Sequence, residues 1–332
     1  MQPAGHDFRP AFKQLDFFKK EFPDVPMLCC TATATQKVRD DIMKTLALDR
    51  LKLRVFMMTT HRPNLHFEVR FKSDEQDQYP NFMKYLHGIY SRRARPDRKA
   101  ELEARGERVT NMPGIVYTLY RKDTEALAAR LRSDGIGAKP YHAGLTTEQK
   151  EDHLAGWVAN REGYDIIVAT TAFGMGIDKE NVRFVVHWQI PKSFEGFYQE
   201  AGRAGRDGKA GTCILYYSRE DRDRAAQMMG REQEKLSNHS HGSGNASKVG
   251  RETTIQRARS LQALIAYCES TKQCRHKAIA EYFGDTTEPK CSWACDFCKD
   301  RASLVDAKRK GLASEEWCAT QRQTGYAVDE YD

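Results

Sequence analysis

Asp165-Ile-Ile-Val-Ala-Thr170-Thr-Ala-Phe-Gly174-Met-Gly176-Ile-Asp178, then Val182-Arg-Phe-Val-Val-His187-Trp188, then Tyr198-Gln199-Glu200-Ala-Gly202-Arg203-Ala-Gly205-Arg206-Asp207-Gly208 is the stretch that decides the fold. Its β-branched runs, Ile166–Val168 and Val182–Val186, read as parallel strands, because a strand covered on both faces is continuously apolar. Each runs into a Gly-rich or polar turn, and open α/β sheets hold ligands at such carboxyl ends. The last segment sets Arg203 and Arg206 among glycines that let the backbone bend tightly. Paired guanidinium forks suit the clustered charge of a nucleoside triphosphate. Their acidic neighbours within the segment are Glu200 and Asp207, and a surface turn with solvated charges is the plain alternative.

Outward from this stretch, strands and helices alternate. Ile115–Thr118, Ala138–Tyr141 and Cys213–Tyr217 read as strands. Asp123 begins a helix with Leu127 and Leu131 inward, stopped by Gly135, and Thr146 with Gln149 forms a capping box ahead of Leu154 and Trp157. Ser218–Gln227 reads as a charged helix. This alternation predicts a parallel sheet with right-handed crossovers. Upstream, Phe12, Leu15, Phe18 and Phe22 form a helical stripe ended by Pro23. Met27–Cys30 reads as a buried strand and Leu51–Met58 as strand-like, and Thr35 caps a helix carrying Val38, Ile42 and Leu46. Ser91–Thr110 reads as a solvated charged helix or loop, and Ser237–Lys248 as a flexible loop with solvated His239 and His241. From Arg301 the charge rises and the apolar pattern fades, which predicts a disordered tail.

Ile255, Ala258, Leu261, Leu264 and Ile265 mark an amphipathic helix leading to Cys268. Beyond it, the spacing of Cys274, Cys291, Cys295 and Cys298 suits a tetrahedral, all-cysteine zinc site. Cys268 is an alternative ligand, but an apolar helix face explains it better. Nine cysteines, with no apolar leader at Met1–Phe8, point to metal or buried thiols in place of disulfides. A chain of 332 residues accommodates about two domains. A net charge of +7 permits a nucleic-acid partner without demanding one. No apolar run approaches the roughly 18 residues of a membrane span, so no membrane partner is expected.

Thr170–Asp178 and Gln199–Arg206 resemble motifs V and VI of superfamily 2 helicases, in wording close to the RecQ family of DNA helicases. Tyr117, Arg121 and His142-Ala-Gly144 resemble motif IV and its neighbour, and Thr31–Thr35 resembles motif III. Gly5-His-Asp-Phe-Arg-Pro10 resembles the second half of the family's aromatic-rich loop, with Ala4 where a Trp is usual. His61–Leu65 resembles the connector between motor domains. The four cysteines, with Cys274-Arg-His276 and Tyr282-Phe-Gly284, resemble the RecQ zinc-binding subdomain.

The resemblance implies an α/β fold. Residues 1–60 would be the remnant of a first RecA-like domain and 61–222 the RecA-like, parallel-sheet helicase domain 2. A helical four-cysteine zinc-binding subdomain would follow at 223–300, with the tail at 301–332. It also implies an ATP-dependent 3′→5′ DNA helicase of the nucleus, acting in repair and recombination on single strands and duplex junctions. Arg206 and Arg203, with Gln199, would be catalytic, and Gly176 and Asp178 would order the ATP cleft. His6, Phe8, Arg9, Thr31, Thr33, Arg121, His142, Thr170 and Thr171 would bind DNA, and Cys274, Cys291, Cys295 and Cys298 would hold structural Zn2+. The Gly-x-x-x-x-Gly-Lys-Ser/Thr string is missing; Gly205-Arg-Asp-Gly-Lys209-Ala210 has the wrong spacing and no hydroxyl. Nor does an Asp-Glu-x-His box occur, since Asp329-Glu330 lacks both the strand and the His. ATP and Mg2+ are therefore expected only with a first motor domain present, and the chain alone is expected to be inactive. The alternative is a non-catalytic DNA-binding or partner-binding module derived from a helicase.

Overall fold

The structure is a computed structural model that describes residues 14–31, 34–49, 51–72, 75–174, 177–227, 230 and 244–322. His6, Phe8, Arg9, Thr33, Gly176, His239 and His241 lie outside the described residues.

By contact density the chain divides into two units. One comprises Asn64–Pro191, Glu200–Ala225 and Trp293–Asp332, and it carries a parallel sheet. Its strands are β1 (Leu65–Phe71), β2 (Gly114–Tyr117), β3 (Ala138–Tyr141), β4 (Ile166–Ala169), β5 (Phe184–His187) and β6 (Gly211–Tyr217), in the order β1-β6-β5-β2-β4-β3. β2 sits between β4 and β5, with Ile115 opposite Ile167 and Val185, and Val116 opposite Val168 and Val186. Every residue of these three strands is buried, which is why they read as unbroken apolar runs. Phe82, Leu86, Leu127 and Leu131 pack into the same core, each such burial contributing about 1.5–3 kcal/mol.

In chain order the helices are α1 (Asp16–Glu21), α2 (Gln36–Thr45), α3 (Glu75–Arg93), α4 (Pro96–Ala104), α5 (Arg121–Ser133), α6 (Thr147–Val158), α7 (Phe194–Ala201), α8 (Gly244–Glu269), α9 (Arg275–Phe283), α10 (Asp296–Lys299) and α11 (Arg301–Arg322). The capping box at Thr146 and Gln149 forms on α6, and the Val38 amide donates to Thr35 Oγ1 at the start of α2.

The other unit comprises Met1–Pro63, Lys192–Gln199 and Ala226–Ser292. Within it Phe194 stacks on Tyr282 with ring centroids 4.2 Å apart, and its amide donates to Ser260 Oγ at 2.8 Å. Asp285, just past α9, accepts from the Thr60 amide at 2.7 Å and the Thr59 hydroxyl at 2.8 Å.

Several expectations meet a different structure. Met27–Cys30 and Leu51–Met58 form no strands and lie exposed, with no ladder partner among the described residues. The strand in this region is β1, whose inward residues Leu65, Phe67 and Val69 alternate with polar ones. Residues 244–248 of the expected loop belong to α8. In place of a disordered tail from Arg301 the chain forms α11, which buries Leu304 and Leu312 and packs against β1. A Cβ added at Gly311 would come within 2.5 Å of Phe71 Cβ, so only glycine allows this approach.

Candidate functional site

α7 ends at Ala201 and the chain turns through residues 202–208, with Gly205 at φ 57° and Gly208 at φ 74°. Asn64 Nδ2 spans the turn, donating to Gly205 O at 2.8 Å and Lys209 O at 2.9 Å. A Cβ at residue 205 would meet both Asn64 Nδ2 and Lys209 O at 2.6 Å, so the turn needs glycine there. From this turn Arg203 Nη2 donates to Gly174 O at 2.6 Å, and Arg206 Nη1 to Ile177 O at 2.8 Å and Asp178 Oδ1 at 3.2 Å. Both guanidiniums therefore converge on the segment that follows β4. Both ends of this ion pair are exposed, the Asp178 side chain at 87 % and that of Arg206 at 36 %.

The acidic neighbours are committed elsewhere. Asp207 makes a two-oxygen contact with Arg183 Nη2, 2.7 Å to each oxygen. Burial would raise its carboxyl, but bonds from Arg183 and the Lys209 amide outweigh burial and hold it below the ordinary carboxylate range. Glu200 Oε2 lies 2.9 Å from His187 Nε2 in a buried pair.

At the carboxyl ends of the neighbouring strands stand the residues expected to meet DNA. Thr170, half-buried, and Thr171, exposed, follow β4. Arg121 opens α5 at the end of β2, and His142 follows β3, buried, with Nε2 3.0 Å from Glu125 Oε1. Arg121 and His142 flank Gly144: a Cβ added there would lie 3.2 Å from His142 Nδ1 and 3.4 Å from Arg121 Nη1. Thr31 is exposed ahead of α2, and Gln199 is half-buried on α7.

The sulfur atoms of Cys274, Cys291, Cys295 and Cys298 all lie within 4.8 Å of one another. A tetrahedral zinc with Zn–S near 2.3 Å separates its sulfurs by about 3.8 Å, so the set fits that ion with a small contraction. Soft thiol donors of this number suit zinc, and the Cys298 amide donates to Cys295 Sγ at 3.4 Å, a bond that supports a thiolate. Cys268, buried on α8, is not in the group.

Residues 99–208 match the helicase conserved C-terminal domain, and residues 219–299 match the RecQ zinc-binding domain. The chain belongs to the RecQ helicase family. It is 38 % identical over 320 residues to the ATP-dependent DNA helicase Q5 of Mus musculus, covering 95 % of this chain and 30 % of that protein. It is 36 % identical over 307 residues to the ATP-dependent helicase SGS1 of Saccharomyces cerevisiae, covering 92 % and 18 %. To the RecQ-like DNA helicase BLM of Xenopus laevis it is 34 % identical over 303 residues, covering 91 % and 19 %. The chain thus spans less than a third of the length of these relatives.

Within this RecQ chain the structure brings Arg203, Arg206 and Asp178 together, and separately Arg121 with His142. Three further side chains meet at the arginine turn, a meeting that no local spacing in the sequence announces. Tyr117, ending β2, stacks on His187 with centroids 5.6 Å apart, and its hydroxyl donates to Phe173 O at 2.9 Å. Burial first, then the charge of Glu200, raises the Tyr117 hydroxyl far above its ordinary range. His187 and Glu200 complete the set, joined across 13 residues that include a whole connection and most of α7.

Proposed function

We propose that this chain supplies the second motor domain and the zinc module of an ATP-dependent 3′→5′ DNA helicase that acts in the nucleus, in repair and recombination. The observation that carries the reading is the convergence of Arg203 and Arg206 on Gly174, Ile177 and Asp178 beyond β4. Arg206 is the arginine finger: an exposed guanidinium held by a carbonyl and one exposed carboxylate can exchange those acceptors for a phosphate at small cost. Arg203 ties the turn to Gly174, while Gln199 lines the nucleotide side and Asp178, with Gly176, orders the cleft. ATP and its Mg2+ would be held from a first motor domain that faces these residues. Thr170, Thr171, Arg121 and His142 contact the phosphates of a single strand or a duplex junction, together with Thr31, Thr33, His6, Phe8 and Arg9. Cys274, Cys291, Cys295 and Cys298 hold the structural zinc, whose binding supplies folding free energy.

The test joins the chain to the upstream motor domain of the mouse Q5 relative. DNA-stimulated ATP hydrolysis is expected from the chimera and not from the 332-residue chain. Arg206→Ala should then lower kcat by roughly 10³-fold or more while DNA binding stays in place. An active chimera indifferent to Arg206, or ATP turnover by the chain alone, would overturn the assignment.

A further inference from the structure

A buried carboxylate is costly unless it is paired, so the Glu200–His187 contact is a fixed point and not a decoration. It pins the last turn of α7 to the end of β5, three residues before Arg203. Against the face of the His187 ring lies Tyr117, whose hydroxyl donates to the Phe173 carbonyl. The next carbonyl in the chain, that of Gly174, is the acceptor of Arg203. One stacked unit at the ends of β2 and β5 therefore supports both the backbone from which Arg203 departs and the acceptor at which it arrives. Nothing in the packing of the sheet demands a histidine, a carboxylate and a phenol at these three places; an apolar trio would fill the same volume without the desolvation cost.

We propose that Tyr117, His187 and Glu200 are positioning residues for the arginine turn. They fix the direction of Arg203. What the turn acts on rests on the function proposed above; the placement itself does not.

The experiment uses the full chain labelled with 15N-arginine, the Arg203 Nε–H signal being assigned with Arg203→Lys. Arg203 Nε is buried, so its proton is shielded and its exchange reports the pose of the side chain. Glu200→Met and His187→Ala should each speed that exchange about tenfold, the effect of losing one hydrogen bond to a charged group. His187→Gln, whose Nε2 can still donate to Glu200, should restore most of the protection, and a merely space-filling role would not give that rescue. Tyr117→Phe should shift the Arg203 guanidinium signal and leave its stacking partner in place. Unchanged exchange in Glu200→Met, which keeps the length of the side chain and should fold, overturns the proposal. So does equal loss in His187→Ala and His187→Gln. In the motor-domain chimera His187→Ala should lower kcat with KM for ATP held; an unaltered kcat also overturns it. A chimera inactive before any substitution sinks the proposed function instead, and leaves the exchange result to decide the positioning role.

Discussion

Lys179 follows Asp178 in the chain, yet its side chain turns inward and the residue is only 5 % exposed. Its Nζ donates to Val158 O at 3.0 Å and Asn160 Oδ1 at 2.8 Å and lies 5.2 Å from the Trp157 ring centroid. These acceptors are neutral, so burial pushes the ammonium down to about 8 from its ordinary 10.5. Below pH 8 both folded and unfolded chains carry the proton and the folded state bears the whole desolvation cost. Between pH 8 and 10.5 the folded chain releases its proton first, so stability rises with pH in that window. At 1.36 kcal/mol per unit the displacement corresponds to about 3 kcal/mol at most. Urea unfolding of wild type and Lys179→Met should therefore show a difference that is flat below pH 8 and moves in favour of wild type up to pH 10.5. A difference that stays constant from pH 7 to 10 would show that Lys179 keeps its ordinary affinity for the proton.

β1 is an edge strand, and its outward amides do not face solvent. The Phe67 amide donates to Ala294 O at 3.1 Å, the Val69 amide to Asp296 Oδ2 at 3.0 Å, and Phe67 pairs in parallel with Cys295. The cysteine loop thus covers the edge that would otherwise template pairing with another chain, and α11 runs across the same strand. Extraction of zinc by chelator should raise hydrogen exchange at Phe67 and Val69 while Ile115 and Val116, inside the sheet, keep their protection. Asp296→Asn, which removes no thiol, should loosen Val69 alone and retain about one zinc per chain. Protected β1 amides in the zinc-free protein would mean that α11 suffices to close the edge. This edge also marks what could be read from sequence. β2, β4 and β5 were legible because burial on both faces leaves continuous apolar runs. β1 was missed although Leu65-His-Phe-Glu-Val-Arg-Phe71 alternates, because its first residue closes the connector-like His61–Leu65 and the neighbouring Leu51–Met58 offers more apolar residues. α11 was missed because Leu304 and Leu312 stand eight residues apart among charges, and only β1 gives them something to cover. The motif arginines and cysteines lie in short local spacings; Tyr117, His187 and Glu200 meet only once two strand ends and α7 are in place.

At the scale of the molecule, most of the exposed large hydrophobic side chains among the described residues fall between Phe17 and Met58. Phe17, Phe18, Phe22 and Val25 are about half exposed, and Leu28, Leu51, Phe56 and Met58 reach 87 %, 96 %, 86 % and 92 %. Sequence patterning reads Met27–Cys30 and Leu51–Met58 as strands because they have strand composition; they join no ladder among the described residues because composition cannot supply neighbours. Single exposed apolar residues are ordinary, but a run of this density binds hydrophobic dyes and invites association. Changing Leu28, Phe56 and Met58 to lysine together should cut 8-anilinonaphthalene-1-sulfonate fluorescence several-fold and raise the concentration at which the chain stays monomeric. Since exposed substitutions usually fall within about 0.5 kcal/mol, the melting temperature should hardly move. A fall of several degrees would show instead that these side chains are buried in solution, and undiminished dye fluorescence would place the sticky surface elsewhere on the molecule.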